Sequence, residues 1–152
     1  MDNNYIFQYW EAIQDGTVTV GKWIKTIYEI LVNGLKSGKW DFDEEKANKA
    51  INFIENFCHH SEGRNDLLKL ELWQKAIVSA IFGIMDKRTG YRQFREVFIV
   101  VARKNGKTLF AAAIAAYMAY IDGEYGAKVY FLAPKLDQAD LVLSLIHISE
   151  PT

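Results

Sequence analysis

Val97-Phe98-Ile99-Val100-Val101-Ala102-Arg103-Lys104-Asn105-Gly106-Lys107-Thr108 runs directly into Leu109-Phe110-Ala111-Ala112-Ala113-Ile114-Ala115-Ala116-Tyr117-Met118-Ala119-Tyr120. The β-branched and aromatic run reads as a strand, the basic stretch after it as a loop, and the Ala-rich segment as a helix opened by Gly106-Lys107-Thr108. That order suits an anion. The strand fixes where the loop begins, Gly106 lets the backbone approach closely, and a helix N-terminus offers N–H groups that have no partner within the helix. In such an arrangement Lys107 reaches the β- and γ-phosphate oxygens of a nucleotide, and the Thr108 hydroxyl completes a Mg²⁺ shell. The strict phosphate-loop pattern has a glycine where this chain carries Val101, so the strand-loop-helix context carries the reading more than the tripeptide does. The plain alternative is a basic turn inside an ordinary strand-turn-helix unit.

Upstream, the periodicity is helical. Tyr5, Ile6, Tyr9, Trp10 and Ile13 recur at three and four, Asp15-Gly16 interrupts, and Val20, Trp23, Ile24, Ile27 and Leu31 resume the spacing up to Gly34. Asp43 reads as the N-cap of a third helix that carries Ala47, Ala50, Ile51, Ile54 and Phe57 on one face and ends near Cys58. His59 and His60 then stand at a helix C-terminus, where cations are favoured; as a metal site, Cys58-His59-His60 lacks a second ligand pair at a suitable spacing. Ser61 to Asp66 is a polar loop. In Trp73-Gln74, the glutamine amide can donate to and accept from the N6/N7 edge of adenine while the aromatic covers the ring. The competing reading makes Trp73, Ile77, Ala80 and Ile81 the core stripe of a helix and leaves Gln74 on its polar side.

Composition bounds these readings. With 152 residues, 50% of them hydrophobic and 24% charged, the chain is long enough for one globular domain with a real core. A net charge of −1 and a pI near 6.3 argue against a broad basic surface wrapped on DNA. Lys87, Arg88, Arg92 and Arg95 cluster before the strand and read as a solvated turn. The single Cys58 excludes an intramolecular disulfide and fits a reducing compartment. Met1-Asp2-Asn3-Asn4-Tyr5 has neither a basic nor an apolar leader, so secretion is not expected. The apolar stretch from Leu109 to Ile121 is too short to cross a bilayer.

Arg103-Lys104-Asn105-Gly106-Lys107-Thr108 after a hydrophobic strand, the turn Asp122-Gly123-Glu124, a second strand from Ala127 to Ala133 and then Gln138-Ala139 together resemble the large subunit of tailed-phage terminases. Tyr9 to Gly16, Trp40, Leu72-Trp73-Gln74 and Ala80-Ile81-Phe82-Gly83 fall where that family carries similar residues, so the likeness spans residues 5 to 142. The resemblance implies an ATP-driven motor that pumps double-stranded viral DNA into a procapsid in the host cytoplasm. Its implied cofactors are ATP and Mg²⁺, and its implied partners are the terminase small subunit and the portal. A homo-oligomer without membrane attachment is implied as well. The same resemblance implies a phosphate loop that tolerates loss of its first glycine, with Lys104, Asn105, Gly106, Lys107 and Thr108 on the nucleotide and Thr108 on the metal. Catalytic roles then fall to Lys107 and Arg103, base recognition to Gln74 beside Trp73, and coupling to Gln138.

The implied fold class is α/β. A helical N-terminal segment, residues 1–66, precedes the first β-α-β part of a P-loop NTPase domain, residues 67–143, and that domain is incomplete. An ATPase of this class needs an acidic pair after a later hydrophobic strand to hold Mg²⁺ and polarise water, and no such pair follows Thr108. Leu143 to Glu150 offers a single carboxylate. Ser144 to Thr152 resembles a translated sequencing adapter, so residues 144–152 read as a non-native tail. The nuclease domain of the parent protein finds no room in this length. The alternatives are another P-loop ATPase, such as a DNA helicase, and a non-catalytic module whose front helices bind a packaging partner. Exposure among Tyr5, Tyr9, Trp10 and Trp23 favours that module, and their burial a plain core. By itself the chain is expected to bind nucleotide weakly, to turn over no ATP, and to expose apolar surface wherever its two strands lack neighbours.

Overall fold

Asn4 opens the first helix. Its backbone is extended, and its side-chain Oδ1 accepts hydrogen bonds from the N–H groups of Ile6 (3.0 Å) and Phe7 (3.4 Å), two of the donors a helix start leaves without partners. The computed structural model describes residues 4–58, 66–102, 104, 106–123, 126, 128–130 and 132. It divides into two compact units, Met1–Ile51 with Leu70–Phe98 and Asn52–Lys69 with Ile99–Thr152.

In the first unit, helix α1 (Tyr5–Gln14) buries Ile6, Tyr9, Trp10 and Ile13, the stripe its sequence predicts, and Gly16 follows in the left-handed region at φ 81°. Helix α2 (Lys22–Lys36) runs two residues beyond the expected stop at Gly34. The true terminator is Gly38 at φ 73°: its N–H donates to the Leu35 carbonyl (3.2 Å) and the Lys39 N–H to the Gly34 carbonyl (2.9 Å), a Schellman closure. Gly34 has a different task. The Trp40 ring lies where a Cβ on Gly34 would stand, and Phe94 meets that ring edge-on at 5.6 Å.

The buried face of α2 also differs from the expected one. Tyr28, Leu31 and Val32 are buried, with the Tyr28 ring edge-on to Tyr9 at 4.8 Å, whereas Trp23 (71% exposed), Ile27 (49%) and Ile30 (55%) face solvent. The helix carries apolar residues on two stripes, and spacing alone does not say which one meets α1. Burial pushes the Tyr28 hydroxyl well above the usual range for a phenol.

Strand β1 (Asp41–Phe42) pairs antiparallel with β2 (Ile84–Met85), Asp41 opposite Met85 and Phe42 opposite Ile84. Helix α3 (Glu44–Phe57) starts on Asp43 as expected, with the carboxylate Oδ1 accepting from the Lys46 N–H at 3.0 Å. The Asp43 N–H donates to the Gly83 carbonyl at 2.8 Å, at the end of helix α4 (Leu72–Gly83). A Cβ on Gly83 would lie 2.5 Å from Phe42 Cε2, so only glycine permits that closeness. On α4 the buried positions are Gln74, Ala76, Val78, Ser79, Phe82 and Gly83, while the expected stripe of Trp73, Ile77, Ala80 and Ile81 is only half-buried. The helix is apolar on most sides, so period does not select its inner face. Ser79 is fully buried, and its Oγ has no hydrogen-bond partner among the described residues.

The basic cluster before the expected strand is partly engaged within the unit. Lys87 lies 3.6 Å from Asp41, Arg88 lies 3.6 Å from Asp86, and the Arg92 guanidinium sits 5.4 Å over the Phe82 ring. Asp86 also accepts from the Arg88 N–H (2.8 Å), which holds its carboxyl below the usual range.

In the second unit, helix α5 (Lys107–Tyr120) buries Phe110, Ala112, Ala113, Ala116 and Tyr117. Phe53 stacks on Phe57 at 5.5 Å and meets Tyr117 at 5.7 Å. Cys58 is half-buried, burial pushes its thiol up, and its carbonyl accepts from the Leu68 N–H at 2.7 Å. His59 and His60 lie outside the described residues.

The expected strand at Val97–Ala102 is corrected by the structure. Glu96–Ala102 has no regular structure and joins no ladder; Phe98 is 92% and Val100 80% exposed. A strand persists only where its backbone groups are paired in a ladder, and Val97–Val101 enters no ladder among the described residues. Lys128–Tyr130 and Leu132, the described part of the second expected strand, likewise join no ladder, and Leu132 is 96% exposed. The described architecture is therefore mixed, mainly helical with one two-stranded antiparallel sheet, and a P-loop sheet is not formed within it. No described helix is long and apolar enough to cross a membrane.

Candidate functional site

The start of α5 is where the sequence places an anion. Gly106 is the N-cap of α5 and adopts φ 66°, ψ 18°, in the left-handed region. A Cβ there would meet nothing within 4 Å, so glycine is required by conformation and not by space. Two residues earlier Lys104 has φ 66°, the sole positive φ of a non-glycine described residue. The cap contributes no side-chain acceptor, and the first turn contains no acidic residue. The first helical bond runs from the Phe110 N–H to the Gly106 carbonyl (3.0 Å). The N–H groups of Lys107, Thr108 and Leu109 thus open the helix without a capping side chain.

The electrostatics point the same way. A lysine at the first helical position opposes the positive end of the macrodipole, an arrangement an anion would relieve. Lys104, Gly106 and Lys107 are exposed and Thr108 is half-buried, so the loop faces water. Nothing in this geometry conflicts with a bound phosphate: the cradle is open, its charge is positive, and a hydroxyl stands at the second helical position. Arg103 and Asn105 lie outside the described residues, as do Gln138 and the carboxylate of Glu150. Among the described residues no group of three His, Cys, Asp or Glu side chains could hold a metal ion.

Trp73 and Gln74 sit in the first unit, on the opening turn of α4. Gln74 is buried, and its Oε1 accepts from the Glu71 N–H at 2.9 Å, completing a capping box with Glu71 as N-cap. The Trp73 indole N–H donates to Glu71 Oε2 at 2.6 Å. Glu71 thus holds both residues, a role the sequence reading did not give it. The signal was present in the spacing Glu71-x-x-Gln74, a capping box in which glutamate stands where serine or threonine is commoner. Gln74 is not on a polar, outward side of the helix, as one reading held; its amide is held by its own helix start.

Comparison with known proteins adds one finding. The family model described as "Terminase large subunit, ATPase domain" matches residues 72–148, just over half of the chain, from the first residue of α4 through the Gly106-Lys107-Thr108 loop and beyond. No curated protein and no solved structure matches the chain. The match begins at the helix that carries Gln74 and takes in the uncapped helix start that suits a phosphate, and on that ground the chain belongs to the terminase large-subunit family, in its ATPase domain.

Proposed function

We propose that the chain is the nucleotide-binding part of an ATP-driven motor that packages viral DNA, with the phosphates held at the start of α5. The observation that carries this reading is the combination at Gly106-Lys107-Thr108: a left-handed glycine cap, no side-chain or acidic cap, and an exposed lysine at the first helical position. Gly106 and the first N–H groups would bind the phosphate oxygens, Lys107 would neutralise them, and Thr108 would offer its hydroxyl to Mg²⁺. When bound, the metal would neutralise charge that develops on the transferred phosphoryl group. Arg103 would stabilise the same charge, and Gln74 beside Trp73 would read the base. Family membership supports these roles without assigning them to individual atoms.

The division into residues 1–66, 67–143 and a non-native 144–152 belongs to this proposal, as do the small subunit, the portal, the host cytoplasm and homo-oligomeric assembly. The non-catalytic module finds mixed support: Tyr9 and Trp10 are buried, which favours a plain core, while Trp23 is exposed. The test of the proposal is Lys107→Ala, which removes a charge-assisted phosphate contact. It should weaken Mg²⁺·ATP binding at least about tenfold in a calorimetric titration, with unchanged circular dichroism. Equal affinity of the two proteins would refute the assignment.

A further inference from the structure

The outer stripe of α2 is an apolar surface on a regular helix that the proposed nucleotide site leaves unused. Trp23, Ile27 and Ile30 stand at i, i+4 and i+7, so they form a single ridge on a two-turn length of helix, with Ile24 (39% exposed) beside them. The opposite stripe of the same helix is already buried against its own unit through Tyr28, Leu31 and Val32. A scattered exposed leucine needs no explanation, but a continuous ridge that includes a tryptophan does.

Charge identifies the occupant. The first turn of α2 contains Lys22 and Lys25 and no acid, Gly21 gives it no side-chain cap, and the Lys22 ammonium sits 5.0 Å from the Trp23 ring centroid. At the other end the Lys36 ammonium lies 5.9 Å over the Phe7 ring of its own unit, and the positive charge in line with the ridge is Lys39, 5.0 Å over the Trp40 ring that packs on Gly34. Between these ends Glu29 is the only carboxylate on the helix. A second copy of α2 laid along the ridge would bring lysines against lysines at either polarity. A partner with carboxylates would meet positive charge at both ends and would place an anion at the uncapped N-terminus.

We propose that the Trp23-Ile27-Ile30 ridge is a docking surface for an acidic amphipathic helix of another protein, with apolar side chains against the ridge and a carboxylate at the α2 N-terminus beside Lys22 and Lys25. The ridge covers about 10 Å of helix at 1.5 Å per residue, so the seated segment is two to three turns long. Its affinity is modest and depends on salt, because the area is small and part of the attraction is between exposed charges.

The intact chain can be titrated with a synthetic helical peptide whose leucine stripe is flanked by glutamates, and with the same peptide carrying lysines in their place. Saturable binding of the glutamate peptide, weakened by salt and at least about tenfold tighter than the lysine peptide, is the expected result. Trp23→Ser with Ile27→Ser should weaken it by a similar factor while helix content and thermal unfolding stay unchanged, since both side chains are exposed. Lys22→Glu with Lys25→Glu, which leaves the ridge whole, should reverse the preference between the two peptides. Failure of the glutamate peptide to bind, equal binding of both peptides, or binding indifferent to the ridge substitutions would overturn the proposal. So would concentration-dependent self-association in sedimentation that the ridge substitutions abolish, because the occupant would then be a second copy.

Discussion

Single residues in this protein often serve one physical requirement each, and two of them make direct tests. Ser79 is fully buried on α4 with an unpartnered hydroxyl. Removing an unsatisfied buried hydroxyl removes its desolvation cost, so Ser79→Ala should leave stability unchanged or raise it by about 1 kcal/mol in urea unfolding. A clear loss would mean that the hydroxyl has a partner in solution. Gly106 is required by its left-handed backbone, and Gly106→Ala should cost about 1–2 kcal/mol at the start of α5, the penalty of that region for a residue with a Cβ. Because the same N–H groups are proposed to hold phosphate, this variant should also weaken nucleotide binding, with the two losses measured separately by thermal unfolding and by titration.

At the scale of elements, caps and close approaches decide more than propensity does. Gly34→Ala gains about 1 kcal/mol of helix propensity but forces a Cβ into the Trp40 ring, an overpacking cost of about 1–3 kcal/mol, so net destabilisation is expected. Combining it with Trp40→Ala should give less than the sum of the two single losses, since the second change removes the clash. Gln74 calls for a sharper design, because its amide serves the α4 cap as well as the proposed base contact. Gln74→Glu keeps a capping-box acceptor at that position yet alters the amide, so it should narrow the preference for ATP over GTP, with a separate loss of stability from setting a second carboxylate at a buried position beside Glu71. Unchanged nucleotide ratios in a competition titration would leave Gln74 with the structural role alone. These cases also show what could be read from the chain. The N-caps Asn4 and Asp43, the stripe of α1 and the start of α5 follow from local rules of spacing and capping, and Asp43 and the α1 stripe were legible on that basis. The inner faces of α2 and α4 were not, because both helices offer apolar residues on more than one side and tertiary contact makes the choice. Val97–Ala102 had every local mark of a strand, but strand formation depends on a neighbour, which composition cannot supply.

For the whole molecule, the exposed run Val97–Val100 and the exposed Tyr130 and Leu132 present apolar surface of the kind that associates. The intact chain is therefore expected to bind a hydrophobic dye and to self-associate at raised concentration. Substituting Phe98→Lys should lower both signals without reducing helix content, since that side chain is almost wholly exposed. No ATP turnover above background is expected from the chain alone, because no acidic pair follows Thr108 to position metal and water. Phosphate release that Lys107→Ala abolishes would contradict that expectation. The central claim, that α5 begins at a phosphate site, is tested most directly by nuclear magnetic resonance of the ¹⁵N-labelled chain during titration with Mg²⁺·ATP. The amide signals of Gly106, Lys107, Thr108 and Leu109 should shift most and saturate together, with inorganic phosphate producing weaker shifts of the same signals. Unmoved signals at these four residues, with shifts confined to other parts of the chain or absent altogether, would contradict it.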